Sequence, residues 1–222
     1  MDKRVRGPHL IGTGFHSLAG TGFGEYGIDA AFGCHDRFDS WFSSPNSDAM
    51  IFSGNLCARI NYALDGSGDF IVVGPKTIRQ MFQFFKHGVD AAFESWDGSS
   101  AYLFKDSEYA LIDYSKQALI AIRPIRDGFH CFRGGLFERD IGAAFASHSK
   151  EKAYLFKDNK YILLQFTPAT TKDYIIGGIK DIVPSNWPSL NGIMPRKNTG
   201  FDTQYDYSEQ PSHKRDQDKN IA

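Results

Sequence analysis

Three strings in the chain place chemistry-bearing residues at matching positions. They read Asp29-Ala30-Ala31-Phe32, Asp90-Ala91-Ala92-Phe93 and Gly142-Ala143-Ala144-Phe145. If these run as equivalent strands about one axis, they present the same backbone groups to it. Carbonyls of equivalent residues then converge on a cation, and amides two residues further on converge on an anion. Hard cations such as calcium accept backbone carbonyls among their oxygen ligands. The carboxylates of Asp29 and Asp90 would add negative field. Ligation by carbonyl explains how Gly142 can stand where the other copies have Asp. A packing reading accounts for the same residues: alanine where inner strands crowd, phenylalanine to fill the wedge between neighbours.

The neighbouring strings must supply the strands that hold these residues in place. Each cassette leads into a second apolar string, Ala49-Met50-Ile51-Phe52, Ala101-Tyr102-Leu103-Phe104 and Ala153-Tyr154-Leu155-Phe156. A third string comes after it in each copy. Phe52, Phe104 and Phe156 are 52 residues apart, and so are Tyr62, Tyr114 and Phe166. A fixed period of this size built from short alternating strings predicts a propeller or stacked array, and four short strands per unit is a propeller blade. The hairpin signals are Lys105-Asp106-Ser107-Glu108, Phe156-Lys157-Asp158-Asn159 and Ser53-Gly54-Asn55.

The units run over 27–87, 88–138 and 139–193. Residues 1–26 match only the end of a unit, through Gly7-Pro8, Phe15-His16-Ser17-Leu18 and Gly22-Phe23, and pair best with Gly74-Pro75, Ile78 and Met81. The first unit carries extra residues between Gly33 and Ser47, including Trp41 and Phe42. That loop is either an interaction surface or folded back on its own sheet. Residues 194–222 are polar and aperiodic, which predicts a disordered tail; the alternative is that Phe201, Tyr205 and Tyr207 dock on an open edge.

Composition narrows the function. The chain has 222 residues, is 41% hydrophobic and 23% charged, and has a net charge of -1. That charge balance provides no electrostatic reason to expect nucleic acid or an anionic membrane as partner. No secretory signal and no membrane-spanning run is expected. Cys34, Cys57 and Cys131 show no CxxC spacing, so reduced thiols are expected. The pairs Cys34-His35 and His130-Cys131 fit no zinc spacing. No P-loop, GxSxG, HExxH or dinucleotide fingerprint occurs, and a non-enzyme is expected. Haem would want histidine ligands, but His9, His16, His35, His87, His130, His148 and His213 show no paired spacing.

These residues resemble hemopexin-type repeats, with their Asp-Ala-Ala-Phe first strand and Ala-Tyr-Leu-Phe-Lys second strand. The likeness extends to the albumin-2 proteins of legume seeds through Tyr26-Gly27-Ile28-Asp29, Cys57-Ala58-Arg59-Ile60-Asn61-Tyr62, Ile141-Gly142-Ala143-Ala144-Phe145-Ala146-Ser147-His148 and Trp187-Pro188-Ser189-Leu190. It covers roughly residues 5–195. The resemblance implies an all-β, four-bladed propeller, here three complete blades plus the end of a first. It implies a cytosolic, dimeric, non-enzymatic seed protein that binds ions in a central channel, with spermine and haem as further ligands. Asp29, Asp90 and Gly142 carry over as carbonyl ligands of a channel cation such as calcium or sodium. Ala31, Ala92 and Ala144 carry over as the second, chloride-type position. Haem ligands and spermine contacts do not carry over to particular residues. Storage without a specific ligand is the rival reading.

Overall fold

In the computed structural model, which describes residues 10–34, 47–63, 68–83 and 88–188, the apolar strings form three four-stranded antiparallel sheets. The first is β1 (Ala30–Cys34), β2 (Asp48–Ser53), β3 (Leu56–Asn61) and β4 (Phe70–Thr77). The second is β5 (Ala91–Glu94), β6 (Ser100–Lys105), β7 (Glu108–Asp113) and β8 (Ala118–Pro124). The third is β9 (Ala143–Ala146), β10 (Lys152–Lys157), β11 (Lys160–Phe166) and β12 (Asp173–Asp181). Each sheet is a simple meander in sequence order. The β2–β3, β6–β7 and β10–β11 turns share one device, a first turn residue at positive φ: Gly54 at 52°, Asp106 at 51° and Asp158 at 52°. Glycine and Asp tolerate that region better than β-branched residues do.

Burial follows from stacking. Phe32, Met50, Phe52 and Cys57 of the first sheet pack on Ala92, Ala101, Leu103, Ala110 and Ile112 of the second. The opposite face of the second sheet sets Phe93, Tyr102, Phe104 and Tyr109 against Ala153, Leu155, Ile162 and Leu164 of the third. A large, largely aromatic face thus meets a small, aliphatic one at both junctions. Since the second sheet is covered on both faces, β6 is buried from Ser100 through Phe104, and its apolar character is continuous rather than alternating. Phe93 lies 5.1 Å from Tyr102 and 5.3 Å from Phe166, centroid to centroid. Its counterpart on the third sheet, Phe145, is 44% exposed.

Residues 10–26 form helical turns at Ile11–Gly14, His16–Leu18 and Gly22–Tyr26. Leu18 and Phe23 cover Ile51, Ala58 and Ile60 on the outer face of the first sheet. The sequence pattern matches this segment to residues around Gly74-Pro75 and Ile78, the connector after the first sheet. There the Ile78 amide donates to the Asn55 carbonyl at 2.8 Å, as the Ile125 amide after the second sheet donates to that of Ser107 at 2.9 Å. Gly74-Pro75 lies inside β4, and Ile78–Phe82 is a short helix capped by Thr77 and Gln80. The connector after the second sheet matches the segment more fully, with turns at Ile125–Gly128, His130–Phe132 and Leu136–Glu138. Both connectors are held by one carboxylate on two successive amides. Asp69 accepts from the amides of His16 (3.1 Å) and Ser17 (2.8 Å), and Asp173 from those of His130 (3.2 Å) and Cys131 (2.7 Å).

The compact unit ends at Ile182. Val183 onward is a separate unit, in which the amides of Asn186 and Trp187 both donate to the Val183 carbonyl at 2.9 Å. The inserted loop between Cys34 and Ser47, and the tail from residue 189 on, lie outside the described residues. No described helix is long and apolar enough to cross a membrane. The three cysteines are free thiols.

Two outcomes are expected. Leu103, fully buried between the first and second sheets, should cost about 2–5 kcal/mol on Leu103→Ala, read as a fall in the urea midpoint. Burial raises the pKa of Asp69, but hydrogen bonds from Ser17 and the His16 amide outweigh it and hold the group below its ordinary value. A depressed carboxylate stabilises the fold above its unfolded pKa and loses that contribution as pH falls through the folded one. Asp69→Asn should therefore lower the urea midpoint at pH 7, and the gap from wild type should narrow below about pH 4.

Candidate functional site: an acidic cleft where three inner strands meet

β1, β5 and β9 are the end strands of their sheets, and they are also the strands through which the sheets approach one another. β5 lies against β1 on one side and β9 on the other, while β1 and β9 touch only marginally. Such convergence needs small side chains, and Ala91 and Ala92 of the middle strand are each 1% exposed.

At the start of each inner strand the same irregularity recurs. Ala30, Ala91 and Ala143 pair in register with Phe52, Phe104 and Phe156. The preceding residue also donates its amide to that phenylalanine's carbonyl: Asp29 at 2.8 Å, Asp90 at 2.8 Å and Gly142 at 2.9 Å. Two residues thus oppose one, as in a β-bulge, which breaks the alternation of backbone groups and re-aims the strand beyond it.

These three residues, together with Asp140 and Ile141, line one open cleft of about 390 Å³. The sequence-derived set Asp29, Asp90 and Gly142 is therefore gathered in one place. Ala31, Ala92 and Ala144 occupy equivalent register positions opposite Ile51, Leu103 and Leu155, but they are not among the residues lining the cleft.

Asp140 went unrecognised in the sequence, although a signal was there. The first two copies read Gly27-Ile28-Asp29 and Gly88-Val89-Asp90, whereas the third reads Asp140-Ile141-Gly142. Acid and glycine have exchanged places. The outer position demands positive φ in every copy: 95° at Gly27, 96° at Gly88 and 56° at Asp140. Asp is one of the few residues with a side chain that adopts it. At Gly88 a β-carbon would also lie 2.8 Å from the Gly54 carbonyl oxygen.

The carboxylates already have work to do. Asp29 accepts from the amide of Gly54 at 2.7 Å, tying the β2–β3 turn to its inner strand. Asp90 accepts from the amide of Asp106 at 3.1 Å and from the Lys105 ammonium at 2.6 Å. Asp140 takes Arg139 at 2.9 Å and lies 3.6 Å from Lys157, whose ammonium donates to the Arg139 carbonyl at 2.7 Å. Burial lowers the Lys105 pKa, but Asp90, with Asp106 and Asp29, more than offsets this and leaves it above the ordinary lysine value.

Other chemistry finds less support. Among the described residues no three His, Cys, Asp or Glu side chains are grouped to hold a metal ion. The described histidines His16, His130 and His148 are all exposed. Burial pushes the Cys57 thiol up to about 12. Burial, then Asp173, pushes Cys131 up as well. Neither thiol is poised as a thiolate near neutral pH.

The structure is similar to that of hemopexin fold protein CP4 from cow pea, with 42% identity, 85% of this chain and 81% of that one covered, and a TM-score of 0.73. The chain is thus an all-β protein of the hemopexin-fold class. Albumin-2 of Pisum sativum is 41% identical over 204 residues, which cover 89% of this chain and 84% of that protein. Albumin-2 of Lathyrus sativus is 41% identical over 201 residues, 87% and 83% of the two chains. The chain belongs to the albumin-2 family of legume seed proteins. A structure from Cicer arietinum, described as a plant lectin with two metal binding sites, is 45% identical with a TM-score of 0.75, covering 87% of this chain and 84% of that one. No protein-family model matches the chain.

Because the Asp29 side chain locks a turn, Asp29→Ala should cost about 1 kcal/mol in chemical denaturation. In native-state hydrogen exchange, the Gly54 amide should become the fastest to gain.

Proposed function

We propose that the chain is a non-enzymatic, ion-binding seed albumin. Its three sheets are consecutive blades of a four-bladed hemopexin-type propeller, and residues 10–26 are the connector leaving the first blade. The cation position lies at the cleft where β1, β5 and β9 converge, with the carbonyls of Asp29, Asp90 and Gly142 as donors. One observation carries this reading: three equivalent bulged residues, one from each inner edge strand, line the same acidic cleft.

The donor chemistry fits a hard cation. Oxygen is the ligand type calcium takes, and the bulge provides the local condition for a carbonyl to leave its own ladder. The side chains are engaged elsewhere, in keeping with ligation through the main chain. A bound calcium would supply a fixed dication joining three sheets that, among the described residues, meet through side-chain packing and a few hydrogen bonds. The similar Cicer arietinum protein, described as having two metal binding sites, supports the same reading. Ala31, Ala92 and Ala144 remain the proposed anion position. Spermine, a polycation, suits the same acidic mouth. Haem receives no comparable support, because the described histidines are dispersed and exposed.

Homodimerisation is proposed on kinship alone, and sedimentation equilibrium decides it. A carbohydrate-binding reading has one point in its favour, since a Cicer arietinum albumin 43% identical to this chain is described as showing hemagglutination. Erythrocyte agglutination with and without simple sugars tests it directly.

Calorimetric titration with calcium chloride and with spermine tests the main reading. Saturable binding of calcium is expected, with spermine competing for it. Absence of saturable heat from both would leave storage as the better description.

A further inference from the structure

The mouth of the cleft holds cations of the chain's own. Lys105, Lys157 and Ser53 occupy equivalent places, each directly after the phenylalanine that accepts the bulged amide. Lys157 turns to the Arg139 carbonyl. Lys105 alone of the three donates to a cleft-lining carboxylate, Asp90, at 2.6 Å. The other oxygen of that carboxylate is taken by the Asp106 amide. Both oxygens keep a free lone pair, but the charge of Asp90 is balanced by the ammonium for as long as the pair is held.

We propose that Lys105 is a tethered counter-ion of the cleft, which a cation held by the carbonyls repels from Asp90, and that it sets both affinity and preference for charge. The proposal rests on the cation-binding reading above. Its physical content is an exchange. The pair is exchangeable because it is only partly covered, with side-chain exposures of 24% for Lys105 and 32% for Asp90, so water can solvate the released ammonium. A monovalent ion replaces one positive charge with another and gains little. A dication or polyamine adds net charge to a cleft lined by Asp29, Asp90 and Asp140, and so gains where a monovalent ion does not. In the first sheet the equivalent Ser53 supplies no charge, so Asp29 is held only by the Gly54 amide among the described residues. The mouth is thus electrostatically uneven: Asp90 carries Lys105, and Asp140 carries Arg139 with Lys157 3.6 Å away. Lys105 is the cation bonded to a carboxylate whose own main chain is in the proposed donor set.

The test uses the full chain, its Lys105→Met and Lys105→Arg variants, and calcium chloride in low-salt calorimetry. A unit charge a few ångströms from the bound ion, at intermediate dielectric, is worth about a decade in affinity or more. Lys105→Met should therefore bind calcium about tenfold more tightly, and Lys105→Arg should stay within about twofold of wild type. Added sodium chloride should compete more effectively in Lys105→Met than in wild type beyond general screening, which the Arg variant calibrates. A second readout is independent of affinity: the Lys105 ammonium resonance, restrained by Asp90 in the ion-free protein, should be lost or shifted as calcium is added. Wild-type binding with unchanged or weaker affinity in Lys105→Met overturns the proposal, as does an ammonium signal indifferent to calcium. If neither wild type nor Lys105→Met binds, the cation reading of the cleft fails, and this inference with it.

Discussion

Everything in the molecule depends on how closely three edge strands can approach. A β-strand carrying large side chains on both faces cannot be brought edge-on against two others. Ala91 and Ala92 keep β5 narrow enough to be enclosed between β1 and β9. The phenylalanine next in the chain restores the volume further along, where the sheets diverge and a wedge must be filled. Phe32 and Phe93 both do this, each packed on the small-residue face of the next sheet. Close packing tolerates few voids, so narrow residues at the convergence and wide ones beyond it are a geometric necessity of the arrangement.

The cleft arises from the same constraint. Edge strands that converge bring unpaired backbone edges together, and unpaired backbone groups away from water are costly unless something satisfies them. The bulge at Asp29, Asp90 and Gly142 gives each strand a defined start, and the carboxylates of Asp29 and Asp90 pin the adjacent hairpin turn to it. Each of these aspartates therefore serves the fold through its side chain and the proposed site through its main chain. In the third sheet the side-chain role is vacated at Gly142, and the acid reappears at Asp140, held by Arg139 and close to Lys157.

A second repeated device joins the connectors to the sheets. Asp69 and Asp173 each bind two consecutive amides of a helical turn, with closely matching distances. Charge-assisted hydrogen bonds to backbone amides are among the stronger polar contacts, and here they fix a connector that also buries Leu18 or Phe132. The junction between the first and second sheets is built differently, with a capped helix at Ile78–Phe82 and its buried Ile78, Met81 and Phe82. Among the described residues the two connectors held by Asp69 and Asp173 share this device, while the Ile78 connector shares with the Ile125 one its anchor on the preceding hairpin turn.

The sequence by itself determined the sheets, because a period of 52 residues and the alternation of apolar positions depend only on local chain geometry. It also determined that Asp29, Asp90 and Gly142 are equivalent, since equivalence in a repeat is a matter of counting. The tertiary structure alone decided what that equivalence means. The Asp140 and Gly142 exchange becomes intelligible only when both positions are seen to line one cleft and the outer one is seen to need positive φ. The likeness of residues 10–26 to 125–139 became clear only when Asp69 and Asp173 were seen gripping equivalent amides. Lys105 reads in the chain as an ordinary hairpin lysine. Its meaning comes from a carboxylate 15 residues away, brought within hydrogen-bond reach because strand pairing in space, unlike periodicity along the chain, is set by packing.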